Sequence, residues 1–190
     1  MKKLLLLSVL ALASLTAYSQ GTINFASAGA GVNAPATNKT ASSGGPGPVY
    51  LRAGGAGFLA QLYVGPANTA AALLTTNGVS GAPAPFLTGA QAGYFAGGVR
   101  TLAGIVGGTT VTFQVRAWNS TFASWELAPD TERSSRTLVP TIQITVVEPP
   151  TPAGNLIGLA AFDIGGVPEP SSIALGLLGL GAVALFRRRK

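Results

Sequence analysis

The chain has 190 residues, 47% of them hydrophobic, and a formal net charge of +6. It contains no cysteine and no histidine. This composition excludes disulfide bonds, thiol nucleophiles, thiolate metal sites and most general-base constellations. A chain of this length suits one domain with appended segments, so we expect stability from a packed core and expect no bound cofactor.

The N-terminal segment predicts export. Two lysines precede an apolar run over residues 4–13, and Ala17 and Ser19 form a small-x-small pattern before Gln20. This order is typical of a secretory signal peptide. We therefore predict a signal peptide at residues 1–19, removed by signal peptidase, and a mature chain that begins at Gln20.

The positive charge does not indicate a nucleic-acid partner. Half of the twelve cations lie in the two terminal segments. Residues 20–166 contain the other six together with five acidic residues, so this region is nearly neutral. Binding to a phosphate backbone needs a clustered basic face, which the middle of the chain lacks. We predict no nucleic-acid binding.

The central region predicts strands, because its apolar and polar residues alternate with period two. In chain order the predicted strands are 21–26, 49–53, 58–64, 99–105, 111–118, 141–147 and 156–164. Glycine-rich stretches at 41–48 and 78–85 read as loops, and the alanine-rich stretch 67–75 has room for two helical turns at most. Short strands between turn residues predict an all-β, β-sandwich-like domain over residues 20–166, with a jelly roll as one form of it.

The strand at 111–118 gives the clearest pattern and carries a candidate sugar site. Val111, Phe113, Val115 and Ala117 line its predicted core face, and Thr112, Gln114 and Arg116 line the opposite, polar face. Trp118 falls on that polar face, and Trp125 follows it in the chain. An aromatic face with polar neighbours can bind a sugar ring, but Trp118 and Trp125 also fit ordinary packing at a sheet edge. A carbohydrate-binding module associated with exopolysaccharide is therefore the alternative function.

Carboxylates are the remaining candidates for chemistry. Glu126, Asp130 and Glu132 lie close together in the sequence, near Arg133 and Arg136. They fit a solvated loop with local ion pairs, a calcium loop without EF-hand spacing, or the paired acids of a carboxylate-only glycoside hydrolase. We expect a protein without enzymatic activity and without a metal site.

The C-terminal segment, residues 167–190, combines three parts. Its sequence motif is Val167, Pro168, Glu169 and Pro170. An uncharged run over residues 171–186 follows, which as a helix would extend about 24 Å, short for a bilayer core of about 30 Å. We predict a single transmembrane sorting helix here, with residues 173–186 as its transient membrane segment. The basic tail is Arg187, Arg188, Arg189 and Lys190. Cations stay on the cytoplasmic side, so the rest of the chain is expected outside the inner membrane.

These three parts resemble the PEP-CTERM sorting domain of exported bacterial proteins. The resemblance implies recognition of Pro168–Pro170 by a membrane-embedded exosortase, which cuts near that motif, and only transient residence in the inner membrane. It also implies a destination at the cell surface, outer envelope or extracellular matrix, with a structural or adhesive role there. The alternative for this segment is an ordinary C-terminal membrane anchor.

Overall fold

The computed structural model describes residues 20–42, 50–134 and 139–165. These residues form an all-β structure with twelve strands and four single 3-10 turns. The strands are β1 (Gln20–Ala26), β2 (Ala28–Gly29), β3 (Val32–Asn33), β4 (Ala36–Ser42), β5 (Tyr50–Arg52), β6 (Phe58–Pro66), β7 (Ala84–Pro85), β8 (Ala96–Val106), β9 (Thr110–Asn119), β10 (Ile142–Thr145), β11 (Gly154–Asn155) and β12 (Phe162–Ile164). The 3-10 turns are Gly55–Gly57, Ala71–Leu73, Gly89–Gln91 and Asp130–Glu132.

The strands form three larger sheets and one short hairpin. The strand orders are β11-β1-β8, β10-β9-β6-β7 and β12-β4-β5, and β2 pairs with β3. Most neighbours are antiparallel, but β11 runs parallel to β1, and β12 runs parallel to β4. Both parallel partners come from the last part of the described chain, which therefore returns to two strands near its beginning, β1 and β4.

One hydrophobic core connects the three larger sheets. It contains Phe113 of β9, Leu62 of β6, Ile23 of β1, Ala36 of β4 and Ile164 of β12, all at most 1% exposed. Alternate residues of β9 and β6 supply one side of this core, as period-two patterning requires. Among the described residues the three sheets are open.

A short segment links two of the sheets. Arg133 forms a bridge with Trp118 of β9, and the next residue, Ser134, forms a bridge with Ile164 of β12. The Ser134 amide also donates to the Ala117 carbonyl at 2.8 Å. The last strand of the described chain is therefore tied through residues 133–134 to the longest strand pair of the structure.

The strand predictions at 21–26, 58–64, 99–105 and 111–118 are confirmed with small changes of boundary. Three other predictions are wrong in part. The predicted loop at 41–48 begins inside β4, which extends to Ser42, and residues 43–48 lie outside the described residues. The prediction at 156–164 is correct for Phe162–Ile164 alone, because residues 157 and 158 form a turn. The predicted loop at 78–85 contains β7.

The predicted polar face of β9 is the main correction. Thr112, Gln114 and Arg116 are at most 3% exposed, so both faces of this strand are buried. The period-two pattern correctly separates the two faces, but it does not reveal that another segment covers the polar one. Residues 120–134 cover Trp118 and Arg116, while Val139 contacts Gln114 and Ala71 contacts Arg116.

Candidate functional site

The outer face of the β6–β9 pair carries the residues that the sequence marked for sugar binding. The antiparallel register places Leu59 opposite Trp118, Gln61 opposite Arg116, and Tyr63 opposite Gln114. These side chains lie on the face that points away from the main core. The segment that follows β9 turns back over this face and brings Trp125 onto it.

Trp118 and Trp125 are both buried, at 0% and 1% exposure. With Ala128 they form a second, small hydrophobic cluster, against which Leu59 and Phe122 pack. Neither ring presents a face to solvent, so the structure places both residues in packing and offers no sugar platform on them. Of the two alternatives given for Trp118 and Trp125 from the sequence, ordinary aromatic packing is the one that agrees with this burial.

Aromatic rings and guanidinium groups alternate across this face. The Arg116 guanidinium lies 3.9 Å from the centroid of the Tyr63 ring and 4.5 Å from that of Trp125. The Arg133 guanidinium lies 4.3 Å from the Trp125 ring centroid. We call Tyr63, Arg116, Trp125 and Arg133 the cation–π stack. Each such contact stabilises by about 0.5–2 kcal/mol, with the larger values for desolvated pairs.

Hydrogen bonds fix the orientation of the cation–π stack. Arg116 donates from Nε to Gln114 Oε1 at 2.9 Å and from Nη2 to the Ala71 carbonyl at 2.6 Å. Trp125 donates from Nε1 to the Ser134 carbonyl at 2.9 Å. These buried donors of Arg116 and Trp125 therefore have partners, which avoids the cost of unsatisfied polar groups.

Glu126 accepts from the Tyr63 hydroxyl at 2.6 Å and lies 3.6 Å from the Arg116 guanidinium. Burial, reinforced by the hydrogen bond to Glu126, raises the pKa of Tyr63 well above its usual value. Partial burial would raise the pKa of Glu126, but hydrogen bonds from Tyr63, the backbone and Ser124 outweigh it and lower that pKa. A neutral tyrosine beside an ionised carboxylate is therefore the stable arrangement at neutral pH.

The other carboxylates predicted as candidate acids are held in local contacts. Asp130 pairs with Arg133 at 2.6 Å, and Glu132 accepts from the Asn119 side chain at 3.0 Å. Within residues 20–42, 50–134 and 139–165, no group of three or more metal-ligating side chains could hold an ion. Arg136 lies outside the described residues.

A groove of about 410 Å³ opens between β8 and the β6–β9 pair. Its walls are mostly apolar and include Ile105 of β8 and Val111 of β9, and Thr75, Asn77 and Thr109 add polar atoms. The sequence did not predict this groove, because it depends on how two sheets pack and no motif marks it.

The predicted processing residues lie at or beyond the limits of the described chain. Gln20 is the first described residue and begins β1, where it pairs with Val106 of β8. Ala17 and Ser19, the motif Val167–Pro170 and the tail Arg187–Lys190 lie outside the described residues, as does the predicted membrane segment. In the described ranges no helix has the length and apolar character that crossing a membrane requires.

The comparisons with known proteins assign the C-terminal segment. The described structure is an all-β protein, and its last strand ends just before the three-part segment. Residues 166–190 match the family described as the PEP-CTERM protein-sorting motif. The chain therefore carries a sorting motif of the kind found in exosortase substrates, which indicates export and membrane-associated sorting. Neither a curated protein nor a solved structure matches the chain.

Proposed function

We propose that the protein is an exported surface or matrix protein with a structural or adhesive role and without enzymatic activity. In this proposal signal peptidase removes residues 1–19, and the exosortase then removes the tail near Pro168–Pro170. The observation that carries the proposal is the sorting motif at residues 166–190, directly after the all-β domain. The short apolar run agrees with a tail that is discarded after transient insertion.

The packing of the domain supports a structural role and a β-sandwich architecture. The β11-β1-β8 and β10-β9-β6-β7 sheets contribute residues to one core, as two packed layers do. The carboxylates discussed above are engaged in ion pairs or hydrogen bonds that stabilise loops. These contacts favour a packing role for the acids over that of paired catalytic acids.

The mass of the mature protein tests this proposal. Protein recovered from the envelope and culture medium of its host is expected to begin at Gln20 and to lack the residues beyond about Pro170. A variant with alanine at Pro168, Glu169 and Pro170 should keep its tail. A parent chain that still ends at Lys190 and stays in the inner membrane would make the segment an ordinary anchor and refute the sorting proposal.

Carbohydrate binding is the second candidate function, and Tyr94 supports it. Tyr94 is half-buried, its hydroxyl donates to Asn33 Oδ1 at 2.7 Å, and the Arg52 guanidinium lies 5.3 Å from the ring centroid. A partly exposed aromatic ring with polar neighbours has the character of a sugar-binding surface. Retention of the folded domain on a polysaccharide panel, lost in Tyr94→Ala and kept in Tyr94→Phe, would support this function. Equal retention of all three proteins would place binding elsewhere.

A further inference from the structure

The junction between the folded domain and the sorting motif is very short. Ile164 of β12 is 0% exposed, and Pro168 follows only four positions later. Four residues span at most about 14 Å even when fully extended. A domain of this size has a radius of gyration of about 15 Å. While β12 stays in place, the distance from Ile164 to Pro168 therefore cannot exceed the radius of gyration of the domain.

β12 is held on both sides. Phe162, Asp163 and Ile164 pair in register with Ala36, Thr37 and Asn38 of β4. On the other side Ser134 bridges Ile164, and the Gly165 amide donates to the Arg133 carbonyl at 3.1 Å. The chain leaves the domain at a fixed point.

Side chains also hold β12 to β4. Asp163 pairs with Lys39 at 2.8 Å and accepts from the Thr37 hydroxyl. Phe162 and Ile164 are buried in the main core. Release of this strand therefore exposes two large apolar side chains and breaks an ion pair, so the released state is a minor population of the folded protein.

A membrane-embedded enzyme that cuts near Pro168–Pro170 must bring that motif to its own active site, and the length of free chain before the motif limits how far the folded domain can stay from the enzyme. With β12 in place, only residues 165–167 separate the motif from the folded domain. Release of residues 162–164 lengthens the free chain by about 10 Å. We propose that β12 is a strap that regulates sorting, and that the tail is processed only after β12 leaves β4. This inference rests on the proposed function.

A disulfide across the strand pair tests the strap. Thr37 and Asp163 are direct partners, and paired strands lie about 4.8 Å apart, within the range that a disulfide spans. The chain has no native cysteine, so Thr37→Cys with Asp163→Cys creates one defined bond. Processing of the oxidised double variant in the host is expected to fall at least tenfold, and reductant should restore it. The single variants are the controls: Asp163→Cys loses both the Lys39 ion pair and the Thr37 hydrogen bond, and Thr37→Cys loses only the hydrogen bond. Both should be processed at least as fast as the parent.

Unchanged processing with the disulfide formed, as verified by intact mass, would overturn the proposal. A spacer of about ten Gly and Ser residues after Gly165 supplies the second arm, because it frees the motif without release of β12. The spacer should restore processing to the oxidised double variant. If the spacer is processed in the parent but not in the oxidised variant, the disulfide acts by another route and the strap is refuted.

The triple-alanine variant at Pro168–Pro170 separates this inference from the proposed function. Continued processing of that variant contradicts the proposed sorting function, whatever the disulfide does. A triple-alanine variant that keeps its tail, together with a disulfide that has no effect, leaves the sorting function intact and refutes the strap alone.

Discussion

Replacement of Trp125 tests how firmly the 120–134 segment is held on the sheet. Trp125 is 1% exposed, and its ring lies between the guanidinium groups of Arg116 and Arg133. Truncation of a buried tryptophan to alanine costs about 3–5 kcal/mol. Loss of the Nε1 hydrogen bond to Ser134 adds about 1 kcal/mol. We expect Trp125→Ala to lower the free energy of unfolding by about 4–6 kcal/mol, a large part of the 5–15 kcal/mol typical of a domain.

Urea unfolding of the mature domain, followed by far-ultraviolet circular dichroism, measures this loss. Trp125→Phe is the matched control, because it keeps an aromatic ring but removes the Nε1 donor, and it should lose about 1–3 kcal/mol. At about 2–4 °C per kcal/mol for a domain of this size, Trp125→Ala should also lower Tm by roughly 8–24 °C. A loss below about 1 kcal/mol in Trp125→Ala would refute the buried stack and would reopen the reading of Trp125 as an exposed sugar platform.

Three further predictions follow from single contacts. Tyr63 has a raised pKa in the folded state, so the stability that it contributes is complete below its usual pKa of about 10 and decreases as pH rises further. In Tyr63→Phe this loss of stability at alkaline pH should be smaller, as measured by urea midpoints between about pH 9 and 11. Thr112 has a buried hydroxyl without a partner in the described part of the chain, so Thr112→Val should leave the domain equally stable or stabilise it by about 1 kcal/mol, and a loss above that amount would reveal a missed partner. A Cβ at Gly107 would lie 2.8 Å from the Glu148 backbone nitrogen, whereas one at Gly57 meets nothing within 4 Å. Gly107→Ala should therefore destabilise the domain by about 1–3 kcal/mol and Gly57→Ala should be nearly neutral, and equal effects of the two substitutions would contradict the close approach at Gly107.

The sequence predicts the strands that alternate clearly. β6 and β9 follow period-two patterns over long runs, and both form where predicted. β4 was not predicted, because Ala36–Ser42 contains mostly small and polar residues whose strand conformation depends on pairing with β12 and β5.

The environment of the tryptophans depends on tertiary structure and could not be predicted from strand patterning. Trp118 does fall on the polar face of β9, as the alternation predicts, but the return of residues 120–134 buries its side chain there. Glu126 and Arg133 are contributed by that same returning segment. From the sequence, Glu126 was predicted only as part of a local acidic group, with ion pairs, a calcium loop or paired catalytic acids as the alternatives. The cation–π stack brings together residues separated by up to 70 positions, such as Tyr63 and Arg133, and no local motif marks such a set.

The parallel pairing of β12 with β4 also determines how the domain would carry mechanical load. A protein attached through its C-terminal end receives tension at Gly165, directly after β12. Tension along the strand loads the β12–β4 hydrogen bonds together in shear, whereas tension across the strand breaks them one after another. Because β12 contains only three residues, we expect it to detach before the long β6–β9 pair separates. Single-molecule pulling from the C-terminus should therefore show a short extension step before the domain unfolds. The disulfide of the Thr37→Cys, Asp163→Cys double variant should abolish that step.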